Sequence, residues 1–129
     1  MAKFTLTKEF TFEAAHVLPH HDGKCGRLHG HSWKGKLVLE GEDLQTEGPK
    51  QGMLLDFGEI KAAVTPLLEK HLDHHYLNDT TGLESPTSEA LAEWIYWELK
   101  EKLPLLAAVI VEETCTSSCC YRVEKDYNE

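Results

Sequence analysis

Phe4-Thr5-Leu6-Thr7-Lys8-Glu9-Phe10-Thr11-Phe12-Glu13-Ala14-Ala15-His16 is the stretch whose reading decides the fold. In an extended chain, side chains alternate between two faces. Phe4, Leu6, Phe10, Phe12, Ala14 and His16 therefore share one face, while Lys3, Thr5, Thr7, Glu9, Thr11 and Glu13 share the other, and Lys8 alone breaks the pattern. Clean alternation over this length describes a strand buried on one side only, as in an antiparallel sheet. His16 closes the apolar face, so it is directed at the core and away from solvent.

Working outward, the next informative stretch is Cys25-Gly26-Arg27-Leu28-His29-Gly30-His31. Extended geometry puts His29 and His31 on one side and Gly30 on the other. Ser32 to Glu42 returns to strand composition, with Trp33, Leu37 and Leu39 set against Lys34, Lys36 and Glu40. Pairing residues 3–16 antiparallel with 31–42 brings His16 beside His29 and His31. The intervening loop, marked by Pro19, Gly23 and Gly26, then holds Cys25 over them. A bare His-x-His is also compatible with a satisfied strand pair. With His16 added, it becomes the three-histidine set that leaves the fourth position of a tetrahedral zinc open. A cupin-type site needs a glutamate just after the second histidine, and Ser32-Trp33-Lys34-Gly35 supplies none. A metal there, with Lys24, would favour the reactive thiolate of Cys25, whose alternative is a small loop residue with no role.

After a loop over residues 43–52, Asp56 followed by Glu59 resembles a capping box. Phe57, Ile60, Val64, Leu67, Leu68 and His71 recur at helical spacing, and Pro66 is expected to kink or interrupt the helix. Leu72-Asp73-His74-His75-Tyr76-Leu77-Asn78 follows. There, Asp73 beside His74 can set the imidazole tautomer and raise its basicity. A solvated helix end, whose dipole favours histidine, is the alternative, and it suits His71 and His75. A second helix starts at Ser85 or Thr87 and carries Leu91, Trp94, Ile95, Leu99 and Leu103 on one stripe, with Pro104 as its stop. Trp94 and Trp97 read as packing residues. Two last strands, 107–113 and 120–125, flank a turn at 115–118. The order strand, strand, helix, helix, strand, strand implies an α+β fold: a four-stranded antiparallel sheet with two helices on one face.

The 129 residues suit a single domain spanning 1–129. A formal net charge of −9 argues against nucleic acid or an anionic membrane as partner. Cations for any anionic ligand must then be local, and His20, His21, Lys24, Arg27 and Lys34 surround the histidine motif. No apolar run resembles a signal peptide or is long enough to cross a bilayer, so a cytoplasmic location is expected, with Cys25, Cys115, Cys119 and Cys120 reduced. The spacing of the last three cysteines fits no common zinc pattern, and they read as small buried or turn residues.

His16 within Phe12-Glu13-Ala14-Ala15-His16, and a cysteine three residues ahead of His29-Gly30-His31, resemble the 6-pyruvoyltetrahydropterin synthase family. Gly52 to Phe57, a Gly-x-x-x-Asp-Phe pattern, and Leu72-Asp73-His74-x-x-Leu77-Asn78 are similar to it as well, so the resemblance spans nearly the whole chain. The short gap after Cys25 most resembles the bacterial branch serving 7-deazapurine (queuosine) synthesis. The resemblance implies a zinc-dependent lyase that converts 7,8-dihydroneopterin 3′-triphosphate to 6-carboxy-5,6,7,8-tetrahydropterin, acetaldehyde and triphosphate. It implies His16, His29 and His31 as metal ligands, Cys25 as proton-abstracting base, and Asp73 and His74 as the second catalytic pair. Glu113 has an alternative as an exposed strand-end charge; the family's anchoring glutamate precedes a threonine, which selects Glu113 over Glu112 as the group gripping the pterin edge. Further implications are the tunnelling fold and a homo-oligomer in which trimers close into a barrel and two stack as a hexamer. Alternatives are a pyruvoyltetrahydropterin synthase, a folate-type dihydroneopterin aldolase, or a non-catalytic zinc- or pterin-binding module.

Overall fold

The computed structural model describes residues 2–124. Strand β1, Phe4–His16, pairs antiparallel with β2, His29–Gly41, along its whole length. Strand β4, Leu106–Thr114, pairs with β2 on its other side, and β5, Ser117–Arg122, closes that edge. The α+β expectation and the pairing of the first two strands hold, and β1-β2-β4-β5 form an antiparallel sheet, as the order of elements implies.

The sheet nevertheless has five strands where four are expected. Their order is β3-β1-β2-β4-β5, and β3 is the pair His75–Tyr76, which runs parallel to Ala14–Ala15 at the end of β1. Two residues are too few to show a period of two, and these lie between helical segments, so no pattern marks them. The last hairpin is also tighter than its composition suggests. Its turn is Cys115–Thr116 alone, and Ser117 already pairs with Thr114. Lys125, the end of the expected final strand, lies outside the described residues.

Helix α1, Phe57–Leu67, starts on Asp56, whose carboxylate accepts the Gly58 N–H at 2.8 Å and also pairs with Lys50. Pro66 is accommodated one residue before the α-helix ends, where a wider π-turn takes over at Leu68–Leu72 and closes with Asp73 N–H donating to Leu68 O at 2.8 Å. Proline lacks the N–H that would bond the carbonyl of Ala62, and the α-helix ends one residue after it. A single turn, α2, spans Leu77–Thr80, and α3, Ser88–Leu99, is capped by Thr87, which accepts from Ala90 N–H at 3.1 Å.

The even residues of β1 and the odd residues of β2 and β4 face α1 and α3. One core joins Phe10, Phe12, Trp33, Leu37, Leu39, Val109 and Val111 to Ile60, Val64, Leu91, Ile95 and Leu99. Trp94 packs at its margin, whereas Trp97 is 56% exposed and donates its indole N–H to Tyr121 Oη at 3.1 Å. The opposite sheet face is lined with ion pairs such as Lys36 with Glu9 and Glu112.

Beneath the histidines lies an aromatic stack. Phe12 and Trp33, cross-strand partners, have ring centroids 5.9 Å apart and planes 4° from parallel, and Phe10 continues the stack at 6.1 Å. Phe10 reaches across to Gly35, its partner on β2; a Cβ on Gly35 would lie 2.6 and 2.7 Å from the two Cε atoms of that ring. Overpacking of this kind costs about 1–3 kcal/mol. Gly35→Ala is therefore expected to lower urea stability by that amount, and to cost much less in a chain also carrying Phe10→Ala. Equal penalties in both backgrounds would exclude the ring contact as the cause.

Candidate metal and catalytic site

The β1–β2 register sets His16 directly opposite His29, and His31 opposite the small Ala14. Both pairs lie on the helix-facing side at one end of the sheet, with Trp33 as their floor: its ring is 5.0 Å from that of His16 and 5.2 Å from that of His31. Glu113 arrives from β4. Because Gly35 pairs with Val111 and Leu37 with Val109, the odd residues of β4 share the face of the odd residues of β2. Glu113 follows Glu112, the last β4 residue paired with β2, at an irregularity in the β4–β5 ladder, and reaches His31 and His16 from there.

Hydrogen bonds fix the ring nitrogens. Fully buried His16 donates from Nδ1 to the Pro86 carbonyl at 2.8 Å, and His29 donates from Nδ1 to the Arg27 carbonyl at 2.6 Å. A carbonyl can only accept, so both Nε2 atoms are left with lone pairs. Those two atoms face each other at 2.9 Å. Two lone pairs at that distance repel unless a proton or a cation lies between them. The His31 Nε2 is buried without a hydrogen-bond partner, although Glu113 Oε1 is 3.0 Å away, because the angle is poor. The same oxygen is 3.5 Å from His16 Nε2.

One ligand atom from each of His16, His29, His31 and Glu113 lies within 4.8 Å of the others. Tetrahedral zinc with bonds of about 2.0–2.1 Å spaces its ligands by roughly 3.3–3.4 Å. The His16 and His29 Nε2 atoms, 2.9 Å apart, are near that spacing, and Glu113 Oε1 lies 3.0 and 3.5 Å from His31 and His16. The three imidazoles, one of them with an orphaned nitrogen, fit a divalent metal with its fourth position open, and the Glu113 carboxylate lies beside them. Burial pushes the His16 pKa below its ordinary value, with neighbouring His29 acting in the same direction, which keeps the ring in its neutral, ligating form.

The other expected site residues do not join this cluster. Cys25 sits half-buried in a short 3-10 turn, Lys24–Gly26, in the β1–β2 loop, where its carbonyl accepts the Leu18 N–H at 2.9 Å. Asp73 and His74 are held at the free edge of β1. Asp73 Oδ1 accepts the Glu13 N–H at 2.9 Å, and His74 N–H donates to Glu13 O at 2.6 Å. His74 Nδ1 lies 3.0 Å from Asp73 Oδ2, an arrangement that leaves Nε2 free and projecting outward. The Glu13 N–H, followed by His74, holds the Asp73 carboxyl below the usual carboxylate range. Among the described residues His74 is the one non-glycine with positive φ, 61°, a strained conformation held by these contacts. An open depression of about 470 Å³ is lined by both His31 and His74.

His71 and His75 each bond a backbone carbonyl, Thr80 O at 2.9 Å and Glu69 O at 2.8 Å, and neither is drawn to the cluster. Cys119 and Cys120 fall on opposite faces of β5, and no second group of metal-binding side chains occurs among the described residues. Of the nearby cations, His20 is paired with Glu84 at 2.8 Å, and His21 accepts the Gly23 N–H. Sequence reasoning missed that Glu113 touches the histidines themselves. It also missed the carbonyls of Arg27 and Pro86, because a backbone oxygen leaves no residue signature.

The site is thus a small α+β sheet bearing a three-histidine, one-glutamate cluster that could hold a metal ion. A family model described as 6-pyruvoyl tetrahydropterin synthase matches residues 5–124. The 6-carboxy-5,6,7,8-tetrahydropterin synthase of Synechocystis sp. is 56% identical over 115 residues, covering 88% of this chain and 89% of that one. The protein of the same name from Haemophilus influenzae is 34% identical over 140 residues, covering 92% and 99%. The 6-pyruvoyl tetrahydropterin synthase of Caenorhabditis elegans superposes with a TM-score of 0.81 at 27% identity, over 96% of this chain and 98% of that one. The chain belongs to the 6-pyruvoyl tetrahydropterin synthase family, and it is an enzyme, a lyase, as that family's pterin lyases are.

The depressed His16 pKa also makes a stability prediction for metal-free protein. With the folded value lowered from 6.5, the unfolded chain takes up the proton first. The contribution of neutral His16 is complete above pH 6.5 and is lost as pH falls towards the lower folded value. Urea midpoints measured between pH 8 and 5 with chelator present should fall with pH. Substituting His16→Phe should flatten that dependence, and an unchanged slope would refute the assignment.

Proposed function

We propose that this enzyme converts 7,8-dihydroneopterin 3′-triphosphate, with uptake of one water, to 6-carboxy-5,6,7,8-tetrahydropterin, acetaldehyde and triphosphate, as a step of 7-deazapurine (queuosine) synthesis. The observation that carries the reading is the cluster of His16, His29, His31 and Glu113, found in a chain 56% identical to a relative that bears the corresponding name. His16, His29 and His31 would hold a zinc ion, which would supply Lewis acidity for the removal of substrate protons.

The chain's own residues do the rest. Glu113, with its side chain 28% exposed, can accept two parallel N–H bonds from the amino-pyrimidinone edge of a pterin, and a ring gripped there lies next to the histidine set. Cys25 takes a proton as thiolate, and a cytoplasmic setting keeps it reduced. The Asp73–His74 pair moves a proton on the other side of the substrate: Asp73 fixes the tautomer and His74 Nε2 makes the transfer. Lys24 and Arg27, exposed beside Cys25, are the cations offered to the triphosphate.

Among the described residues, the outer edge of β1 along Phe4–Glu13 has no strand beside it, and neither does the outer edge of β5. Closing such edges between copies protects them. In the assembly we propose, trimers close into a barrel, two of them stack as a hexamer, and Asp73 and His74 serve the metal of a neighbouring subunit. Their position at the β1 edge, outside their own chain's histidine cluster, supports that arrangement.

Mass spectrometry of zinc-loaded protein incubated with the triphosphate should detect carboxytetrahydropterin and acetaldehyde together. Pyruvoyltetrahydropterin without acetaldehyde would reassign the activity within the family. Cys25→Ala and His74→Ala should each lower turnover by ~10²-fold or more. Wild-type turnover in both variants would exclude Cys25 and His74 as the proton-transfer groups.

A further inference from the structure

Asn78 closes the Leu72–Asn78 segment and takes no part in the proton transfers of Asp73 and His74. Its half-buried carboxamide makes three hydrogen bonds. Oδ1 accepts the Val17 N–H at 2.9 Å, and Nδ2 donates to Val17 O at 2.8 Å and to Glu84 O at 3.1 Å. An N–H only donates and a carbonyl only accepts, so the amide has one allowed orientation. The side chain engages both peptide groups of Val17 as a neighbouring strand would, and it does so where β3 has already turned into α2.

Both ends of this clamp bear on His16. Val17 is the next residue in the chain, so fixing its N–H and C=O fixes the backbone from which the imidazole projects. Glu84 lies two residues before Pro86, whose carbonyl orients the His16 ring at 2.8 Å. Asn78 therefore ties the backbone that carries the ring to the segment that sets its tautomer. The segment also grips Glu13 through Asp73 and His74, and pairs His75 and Tyr76 with Ala14 and Ala15. Asn78 is the last hold in a row that runs from Glu13 to Val17.

We infer that Asn78 is a positioning residue for the metal centre, acting through His16 by holding Val17 and the Glu84–Pro86 segment together. The inference rests on the metal reading of the histidine cluster. Partners that orient a ligating histidine typically account for ~10–100-fold in metal affinity.

The test is Co2+ binding to metal-free protein, followed by visible absorption and by competition with a chelator. Asn78→Leu removes all three bonds at similar volume, and Asn78→Asp keeps the shape and the acceptor but loses both donors. Each should weaken Co2+ binding by ~10–100-fold and weaken or shift the tetrahedral absorption bands. Thr80→Val is the control, since its hydroxyl bonds the His71 carbonyl at 2.5 Å within the same neighbourhood and touches neither Val17 nor Glu84. It should lower the melting temperature while leaving affinity and spectrum unchanged. Wild-type affinity and spectrum in the Asn78 variants, or an equal loss in Thr80→Val, would overturn the inference. A wild-type chain that takes up no Co2+ would overturn the metal reading, and this inference with it.

Discussion

The site depends first on the register between β1 and β2. Opposing His16 to His29 and Ala14 to His31 is one choice among many alignments of two strands, and a slip of one residue would turn every side chain of one strand to the other face. The register is held by burial. In this alignment Phe10, Phe12 and Trp33 all face the core, and Phe10 fits because Gly35 lies opposite. The aromatic stack that stabilises the sheet is thus the same feature that aims three imidazoles at one point. Trp33 serves both, as a buried ring of the core and as the floor under His16 and His31.

A second layer of order comes from backbone carbonyls and from the Asp73–Asn78 segment. Pro86 O and Arg27 O decide which nitrogens of His16 and His29 are free. Without them, either tautomer could occur, and the lone pairs would have no reason to converge. The segment binds β1 by a run of ladder-like contacts, and it stores local strain at His74, whose positive φ lets one residue present its N–H to Glu13 while its ring meets Asp73. The Asp73–His74 pair and His16 are consequently held to one strand.

Much of this architecture was legible in the sequence. The alternation from Phe4 to His16 identified the strand and the inward direction of His16, and His-x-His identified the second strand's contribution. The helices around Ile60 and Leu91 followed from their stripes and caps. Other features left no trace. Strand β3 is two residues long, the π-turn after Pro66 depends on how Leu68 to Asp73 close, and the early start of β5 at Ser117 reflects pairing that overrides poor strand propensity. Trp97, read as a packing residue, instead lies largely on the surface with its N–H on Tyr121.

By itself, the sequence determined which side chains face inward and which residue types could ligate or transfer protons, because periodicity and side-chain chemistry are local properties. Tertiary structure alone decided that Glu113 touches the histidines, that Pro86 and Arg27 set their tautomers, and that Asp73, His74 and Asn78 line up along β1. Each of these joins groups distant in the chain or uses a backbone oxygen that every residue carries. Cross-strand register and chain closure fix such contacts, and no local spacing encodes them.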